Sequence, residues 1–123
     1  MRALIVDDSR FIRDYLQSLL KGHGLECMAA ENGQAGLTCL GCSGPYDVAL
    51  VDWNMPVMGG LEMVQAVRRD PALSKVKILM VTTEAENRHI EAALNAGADE
   101  YLMKPFDENG LMEKLGMIGV IPD

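Results

Sequence analysis

The chain has 123 residues, a mass of 13.4 kDa and a formal net charge of −7. That length suits one compact domain with its own hydrophobic core. The acidic charge argues against direct binding of nucleic acid, and the lack of an apolar run of roughly 18 residues argues against a membrane-spanning segment. We expect a single cytoplasmic, monomeric domain over residues 1–123.

Five short apolar runs alternate along the chain with five stretches of helical periodicity. The runs predict buried strands at residues 3–6, 25–30, 48–51, 76–81 and 101–103. Helices are predicted at residues 11–20, 33–41, 60–69, 90–97 and 111–118, the second and last weakened by glycines. Strands that alternate with helices run parallel, and strands that are apolar throughout are covered on both faces. The predicted fold is therefore a doubly wound, flavodoxin-like (βα)5 domain of the α/β class, with a five-stranded parallel sheet in the order 2-1-3-4-5.

The three cysteines do not form a recognisable metal site. Cys39 and Cys42 make a C-x-x-C, but a structural zinc site needs four ligands, and Cys27 and the two histidines are scattered. The pair is also expected near a helix C-terminus, where the helix dipole disfavours a thiolate. We interpret the thiols as structural or incidental, with a redox or metal role as the alternative.

Polar residues follow four of the five predicted strands. They are Asp7 and Asp8 after the first, Asp52 after the third, Thr82, Thr83 and Glu84 after the fourth, and Lys104 after the fifth. In a sheet of this order the first and third strands are neighbours, so the three aspartates are expected to meet where open α/β sheets bind ligands. Lys104 starts two strands from Asp52, and its long side chain can reach back.

Three carboxylates in one crevice repel one another by on the order of 3 kcal/mol per pair, so a proton or a cation is expected among them. An open site of oxygen ligands suits Mg²⁺, and Lys104 adds a second positive charge. The sequence therefore predicts a site that collects negative charge, as phosphoryl chemistry requires. Taken singly, Asp8 or Ser9 could serve only as a helix N-cap. The threonines could cap the fourth helix, and the lysine could be a surface residue.

Four segments occur in a fixed order over nearly the whole chain. They are Val6-Asp7-Asp8-Ser9, Asp52-Trp53-Asn54-Met55-Pro56 with Gly59-Gly60, Val81-Thr82, and Lys104-Pro105-Phe106. Together they resemble the receiver domain of bacterial response regulators. Thr82 with Glu84, and Tyr101 three positions before Lys104, are similar to the chemotaxis members of that family.

The resemblance implies a chemical role for each aspartate. Asp52 would accept a phosphoryl group from a phosphohistidine on a sensor histidine kinase or a histidine phosphotransfer protein. Asp8 and Asp52, with the backbone carbonyl of Asn54, would bind Mg²⁺, while Asp7 would mainly hold a metal-bound water. The chain would then be a phosphorylated switch in a two-component phosphorelay rather than an enzyme acting on other substrates.

The resemblance also implies how the switch would operate. Lys104 and Thr82 would contact the phosphoryl group, and Tyr101 would turn inward as Thr82 moves. Asn54 and Glu84 would tune a slow self-dephosphorylation, and the bond between Lys104 and Pro105 would be cis. Helix four, strand five and helix five would form the face that controls an unidentified partner protein, in chemotaxis or in another pathway.

Three other functions are compatible with parts of this pattern. A nucleotide- or flavin-binding module would need a glycine- or Ser/Thr-rich phosphate loop after the first strand, where this chain has two aspartates. A haloacid-dehalogenase-like Mg²⁺ phosphatase would need an Asp-x-Asp there and a cap domain. A receiver that binds partners without phosphorylation is the third alternative, and the full set of acids, threonine and lysine argues against it.

Overall fold

The computed structural model describes residues 1–83 and 89–121. Its strands are β1 (Arg2–Val6), β2 (Glu26–Ala30), β3 (Val48–Asp52), β4 (Lys77–Thr83) and β5 (Glu100–Lys104). Its helices are α1 (Arg10–Gly22), α2 (Gly33–Cys42), α3 (Gly60–Arg69), α4 (Ile90–Ala96) and α5 (Glu108–Met117), and a 3-10 turn spans Pro71–Leu73. In this described part of the chain, no helix has the length and hydropathy needed to cross a bilayer.

The five strands form one parallel sheet in the order β2-β1-β3-β4-β5, which confirms the predicted fold class and strand order. The register places Val6 opposite Val51, so Asp7 and Asp52 are the next residues on two neighbouring strands. Asp52 is opposite Val81, and Thr83 is opposite Lys104. The carboxyl ends of β1, β3, β4 and β5 therefore bring Asp7, Asp52, Thr82 and Lys104 to one edge.

Side chains of the central strands alternate between two hydrophobic layers, as the pleat of a strand requires. Leu4, Val6, Ala49, Val51 and Met80 pack on one face with residues of α2, α3 and α4. On the other face, the partners from α1 and α5 are Leu16, Leu20, Leu111 and Leu115. Both faces of the sheet are covered, which explains why β3 is buried at every position.

Helix α2 forms despite its weak sequence signal, because its glycines let it lie close to its neighbours. A Cβ atom on Gly36 would lie 2.9 Å from side-chain atoms of both Val6 and Met63. Asn32 caps the helix by accepting a hydrogen bond from the Ala35 amide at 2.8 Å. Tertiary packing therefore supplies the stability that the weak helix propensity of this segment does not.

Two further expectations concern the cysteines and the prolines. Cys39 and Cys42 lie in the last turns of α2, as predicted, and the cysteines are free thiols. The Lys104–Pro105 bond is cis, as the resemblance implied, and the Gly44–Pro45 bond is also cis, which we did not predict.

Candidate functional site

The turn after β1 places two aspartates in different environments. Asp7 is only 2% exposed, whereas Asp8 is exposed to solvent. Asp7 Oδ1 accepts a hydrogen bond from the Ser9 amide at 2.8 Å, and its carbonyl oxygen accepts one from Arg13 Nη1 at 2.6 Å. Ser9, not Asp8, is the N-cap of α1, because its side chain accepts from the Ile12 amide. The Asp8 carboxylate is therefore not used as the helix cap, and Asp7 keeps its Oδ2 atom for the crevice.

Asp52 ends β3 and is held against a tightly folded loop. Asp52 is 6% exposed. The Gly60 amide donates to the Trp53 carbonyl oxygen at 2.9 Å, and a Cβ atom on Gly60 would clash with the Asp52 carbonyl oxygen. Only glycine fits at this close approach, so the Gly59-Gly60 pair turns the chain directly into α3 beside the site.

Asp7, Asp8 and Asp52 converge as predicted. Each offers one carboxylate oxygen, and these oxygens lie within 4.8 Å of one another. Lys104 Nζ reaches back across the crevice and donates to Asp7 Oδ2 at 3.2 Å and to Asp52 Oδ1 at 3.3 Å. Its ammonium offsets part of the repulsion between the two buried carboxylates.

The electrostatics of the crevice follow from burial and crowding. Burial, and then the neighbouring charge of Asp7, raise the pKa of Asp52 from 3.8 to about 6, although Lys104 acts in the opposite direction. Burial by itself lowers the pKa of Lys104, but attraction by Asp52 and Asp7 outweighs it, so that pKa lies above its usual value. The lysine therefore stays charged, and Asp52 is ionised at neutral pH but close to its titration range.

Thr82 lies at the same edge, one residue beyond the β4 position that pairs with Asp52. It is 1% exposed, and its Oγ1 has no hydrogen-bond partner in the described part of the chain. A buried hydroxyl without a partner is costly and calls for an explanation, such as a ligand that it would bond. Tyr101, on β5, is half-buried, with Lys114 Nζ 4.5 Å from its ring centroid.

The two residues expected to tune dephosphorylation are Asn54 and Glu84. Asn54 is exposed in the loop after β3, two residues beyond Asp52. Glu84 lies outside the described residues, and its predicted role stays a prediction.

Two features of the site were not predicted from the sequence. An apolar cavity of about 420 Å³ lies beside the crevice, lined by Phe11, Ile12, Tyr15, Thr83, Lys104, Pro105 and Phe106. His89 is half-buried just before α4, with its ring stacked on Trp53. The exposed aromatic at position 11 was a possible signal for the cavity, whereas the stack joins residues 36 positions apart in the sequence.

Chemically, the crevice presents hard oxygen ligands, one fixed cation and one buried hydroxyl around a single carboxylate at a strand end. The carboxylate set fits Mg²⁺, since the oxygens are close together and Asp8 faces solvent. A phosphoryl group at Asp52 would meet positive charge and a hydrogen-bond donor. The turn after β1 offers neither a glycine-rich phosphate loop nor an Asp-x-Asp, which disfavours the nucleotide-binding and phosphatase alternatives.

Comparison with known proteins gives one consistent result. The profile of the response regulator receiver domain matches residues 3–116. The chain is 40% identical over 119 residues to the chemotaxis protein CheY of Pseudomonas aeruginosa, covering 96% of this chain and 95% of that protein. It is 37% identical to the chemotaxis protein CheY1 of Helicobacter pylori, covering 96% of each chain.

Solved structures agree with the sequence matches. The chemotaxis response regulator CheY4 of Vibrio cholerae superposes with a TM-score of 0.88 at 35% identity, covering 95% of this chain and 97% of that one. The response regulator TrrA of Thermotoga maritima, solved in complex with Mg²⁺ and BeF, superposes with a TM-score of 0.83 at 35% identity, covering 95% and 97%.

Proposed function

Because the chain belongs to the receiver domain family of two-component response regulators, we propose that it is a phosphoacceptor switch in which Asp52 takes the phosphoryl group. One observation carries this proposal. The buried Asp52 lies at a strand end with two aspartates close by and Lys104 Nζ 3.3 Å from its carboxylate. We assign the receiver role to residues 1–123 as one domain.

In the proposed reaction, an ionised Asp52 oxygen attacks the phosphorus of a phosphohistidine on a sensor kinase or phosphotransfer protein. A P–O bond forms, and the P–N bond breaks with its electron pair leaving on the imidazole, which gives an aspartyl phosphate. With a pKa of about 6, Asp52 is ionised at neutral pH and available as the nucleophile.

Asp7, Asp8, Asp52 and the Asn54 carbonyl are the groups we assign to Mg²⁺. When bound, the ion supplies positive charge against the oxygens of the phosphoryl group. Lys104 contributes a second positive charge from the position it holds between Asp7 and Asp52. Thr82 donates its otherwise unpartnered hydroxyl to a phosphoryl oxygen.

The proposed output begins at Thr82, which follows by two residues the β4 position opposite Tyr101. Movement of Thr82 toward the phosphoryl group allows Tyr101 to turn inward and alters the face made by α4, β5 and α5. A partner protein reads that face, and the named relatives favour a partner in chemotaxis. Asn54 and Glu84 set the rate of self-dephosphorylation, and the protein acts in the cytoplasm.

The test uses Trp53 as a reporter, because it directly follows Asp52. Addition of Mg²⁺, and then of beryllofluoride or the small phosphodonor phosphoramidate, should change its fluorescence. Intact-mass spectrometry should show one added phosphoryl group with phosphoramidate. The Asp52→Asn variant should show neither the added mass nor the fluorescence change on phosphodonor, while Asp14→Asn on the surface of α1 should behave like the wild type. An unchanged phosphodonor response in Asp52→Asn would overturn the assignment.

A further inference from the structure

A ring stack joins the loop beside Asp52 to the start of α4. The rings of Trp53 and His89 have centroids 4.9 Å apart and planes that differ by 7°. Trp53 is covalently next to Asp52, and His89 is the residue immediately before Ile90, where α4 begins. The two residues come from segments that follow different strands, β3 and β4.

The Trp53 end of this stack has a fixed position. The Trp53 amide donates to the Val81 carbonyl oxygen at 3.3 Å, and the Trp53 carbonyl oxygen accepts from the Gly60 amide at 2.9 Å. Its side chain packs against the core layer under α2, α3 and α4. Trp53 is therefore anchored to the central sheet and to the first residue of α3.

His89 follows Thr82 along the chain and is the residue from which α4 begins. It follows Thr82 by seven residues on the same segment, and as the N-cap of α4 it makes no side-chain capping hydrogen bond. Its half-buried ring is thus held by the stack and not by a helix cap. In the proposed switch, a displacement of Thr82 would act on the end of the stack that belongs to α4, whereas Trp53 directly follows β3.

We propose that His89 is a positioning residue of the switch: its stack on Trp53 holds the start of α4 in the arrangement seen here and opposes the displacement that accompanies phosphorylation of Asp52. This rests on the proposed function and extends it to a residue that does not touch the reacting groups. An aromatic pair of this kind changes an equilibrium by about 2- to 10-fold. A ligand that favours the displaced arrangement binds more tightly by that factor when the stack is absent.

The experiment measures the affinity of the full chain for beryllofluoride in the presence of Mg²⁺, by titration calorimetry, at one fixed pH. His89→Ala should bind about 2- to 10-fold more tightly than the wild type. His89→Phe, which restores a flat ring for Trp53, should return the affinity to the wild-type value. Leu94→Ala, an exposed truncation within α4, is the matched control and should leave the affinity unchanged.

A double-mutant cycle separates the stack from other effects of the histidine. In a Trp53→Leu background, His89→Ala should have no further effect on the affinity. Equal effects in both backgrounds, or an unchanged or weaker affinity of the single His89→Ala variant, would overturn the inference. Failure of the wild-type protein to bind beryllofluoride would instead overturn the proposed function, and this inference with it, so the two failures are distinguishable.

Discussion

Three features of Asp52 support its proposed role as the phosphoacceptor, and each has a structural source. It is buried because β3 is central in the sheet, it lies beside Asp7 because β1 is the neighbouring strand, and it meets Lys104 Nζ because β5 ends at the same edge. Burial and the charge of Asp7 disfavour its ionised form, which is why its pKa rises to about 6.

In the absence of divalent ions, we expect Asp52→Asn to be more stable than the wild type at about pH 7.5 by roughly 1–2 kcal/mol. The folded-state pKa, about 6, lies above the unfolded value of 3.8, so ionisation of Asp52 destabilises the folded state. This cost is full above the folded pKa and decreases as pH falls from about 6 toward 3.8, because the folded carboxyl then regains its proton. Asparagine avoids the cost but also loses the ion pair with Lys104.

Urea denaturation of both proteins at about pH 7.5 and about pH 4 measures this difference, which should shrink at the lower pH. Asp14→Asn is the matched control, because Asp14 is exposed on α1 and forms an ion pair with Arg10, which is also exposed. An Asp52→Asn variant that gains no stability at the higher pH would show that the carboxylate is not disfavoured.

Val57 carries backbone strain in the loop after Asp52. Its φ is +68°, and the Met58 amide donates to the Pro56 carbonyl oxygen at 2.7 Å, which closes a γ-turn around it. A β-branched residue is a rare occupant of this region. Its side chain is 80% exposed, so it gains little from packing.

Replacement of Val57 by asparagine should therefore stabilise the protein by about 1 kcal/mol, because asparagine tolerates positive φ. Val57→Ala should gain less, since alanine lacks the side-chain amide with which asparagine can hydrogen-bond the local backbone at positive φ. The free energies of unfolding from chemical denaturation give the comparison. Equal stability of the asparagine variant and the wild type would mean that the turn adapts without cost.

Helix α2 shows which properties of a secondary-structure element the sequence pattern predicts and which it does not. Apolar runs and the rule for parallel sheets predict the strands, the positions of the helices and the edge at which Asp7, Asp52, Thr82 and Lys104 meet. They do not explain the stability of α2, because that depends on the close approach of its glycines to Val6, Met58 and Met63, which only the folded chain creates. The His89–Trp53 stack could not be predicted from the sequence for the same reason, because no periodicity connects those two positions.

The glycines of α2 give a paired prediction. A Cβ atom on Gly33 would lie 2.6 Å from the Met58 carbonyl oxygen, whereas one on Gly41 would meet nothing within 4 Å. Gly33→Ala should destabilise the protein by about 1–3 kcal/mol, because that backbone oxygen cannot move away easily. Gly41→Ala should stabilise it by about 0.5–1 kcal/mol through helix propensity. Thermal denaturation of the two variants tests the pair, and a loss of stability in both would show that propensity does not limit α2.

For the whole molecule, the acid cluster links folding to pH and to divalent cations. The chain carries a net charge of −7 and gathers three of its carboxylates within 4.8 Å at the end of a buried sheet. Lys104 is the basic partner of Asp7 and Asp52 in the ion pairs of the described chain. Folding therefore concentrates negative charge that is dispersed in the unfolded chain, and anything that binds there in the folded state stabilises it.

Mg²⁺ should raise the free energy of unfolding by about 1–3 kcal/mol at concentrations 10 to 100 times its dissociation constant. The gain should be larger at about pH 8 than at about pH 5.5, because protons compete with the ion for Asp52 as pH falls through its pKa of about 6. Thermal denaturation with Mg²⁺ against NaCl of equal ionic strength measures the effect. Asp8→Asn should lose most of it, since Asp8 is the exposed member of the cluster and its replacement leaves the buried pair with Lys104 intact, whereas Asp14→Asn should keep it. A stabilisation that is the same at both pH values, or that survives in Asp8→Asn, would place the ion elsewhere on this acidic surface.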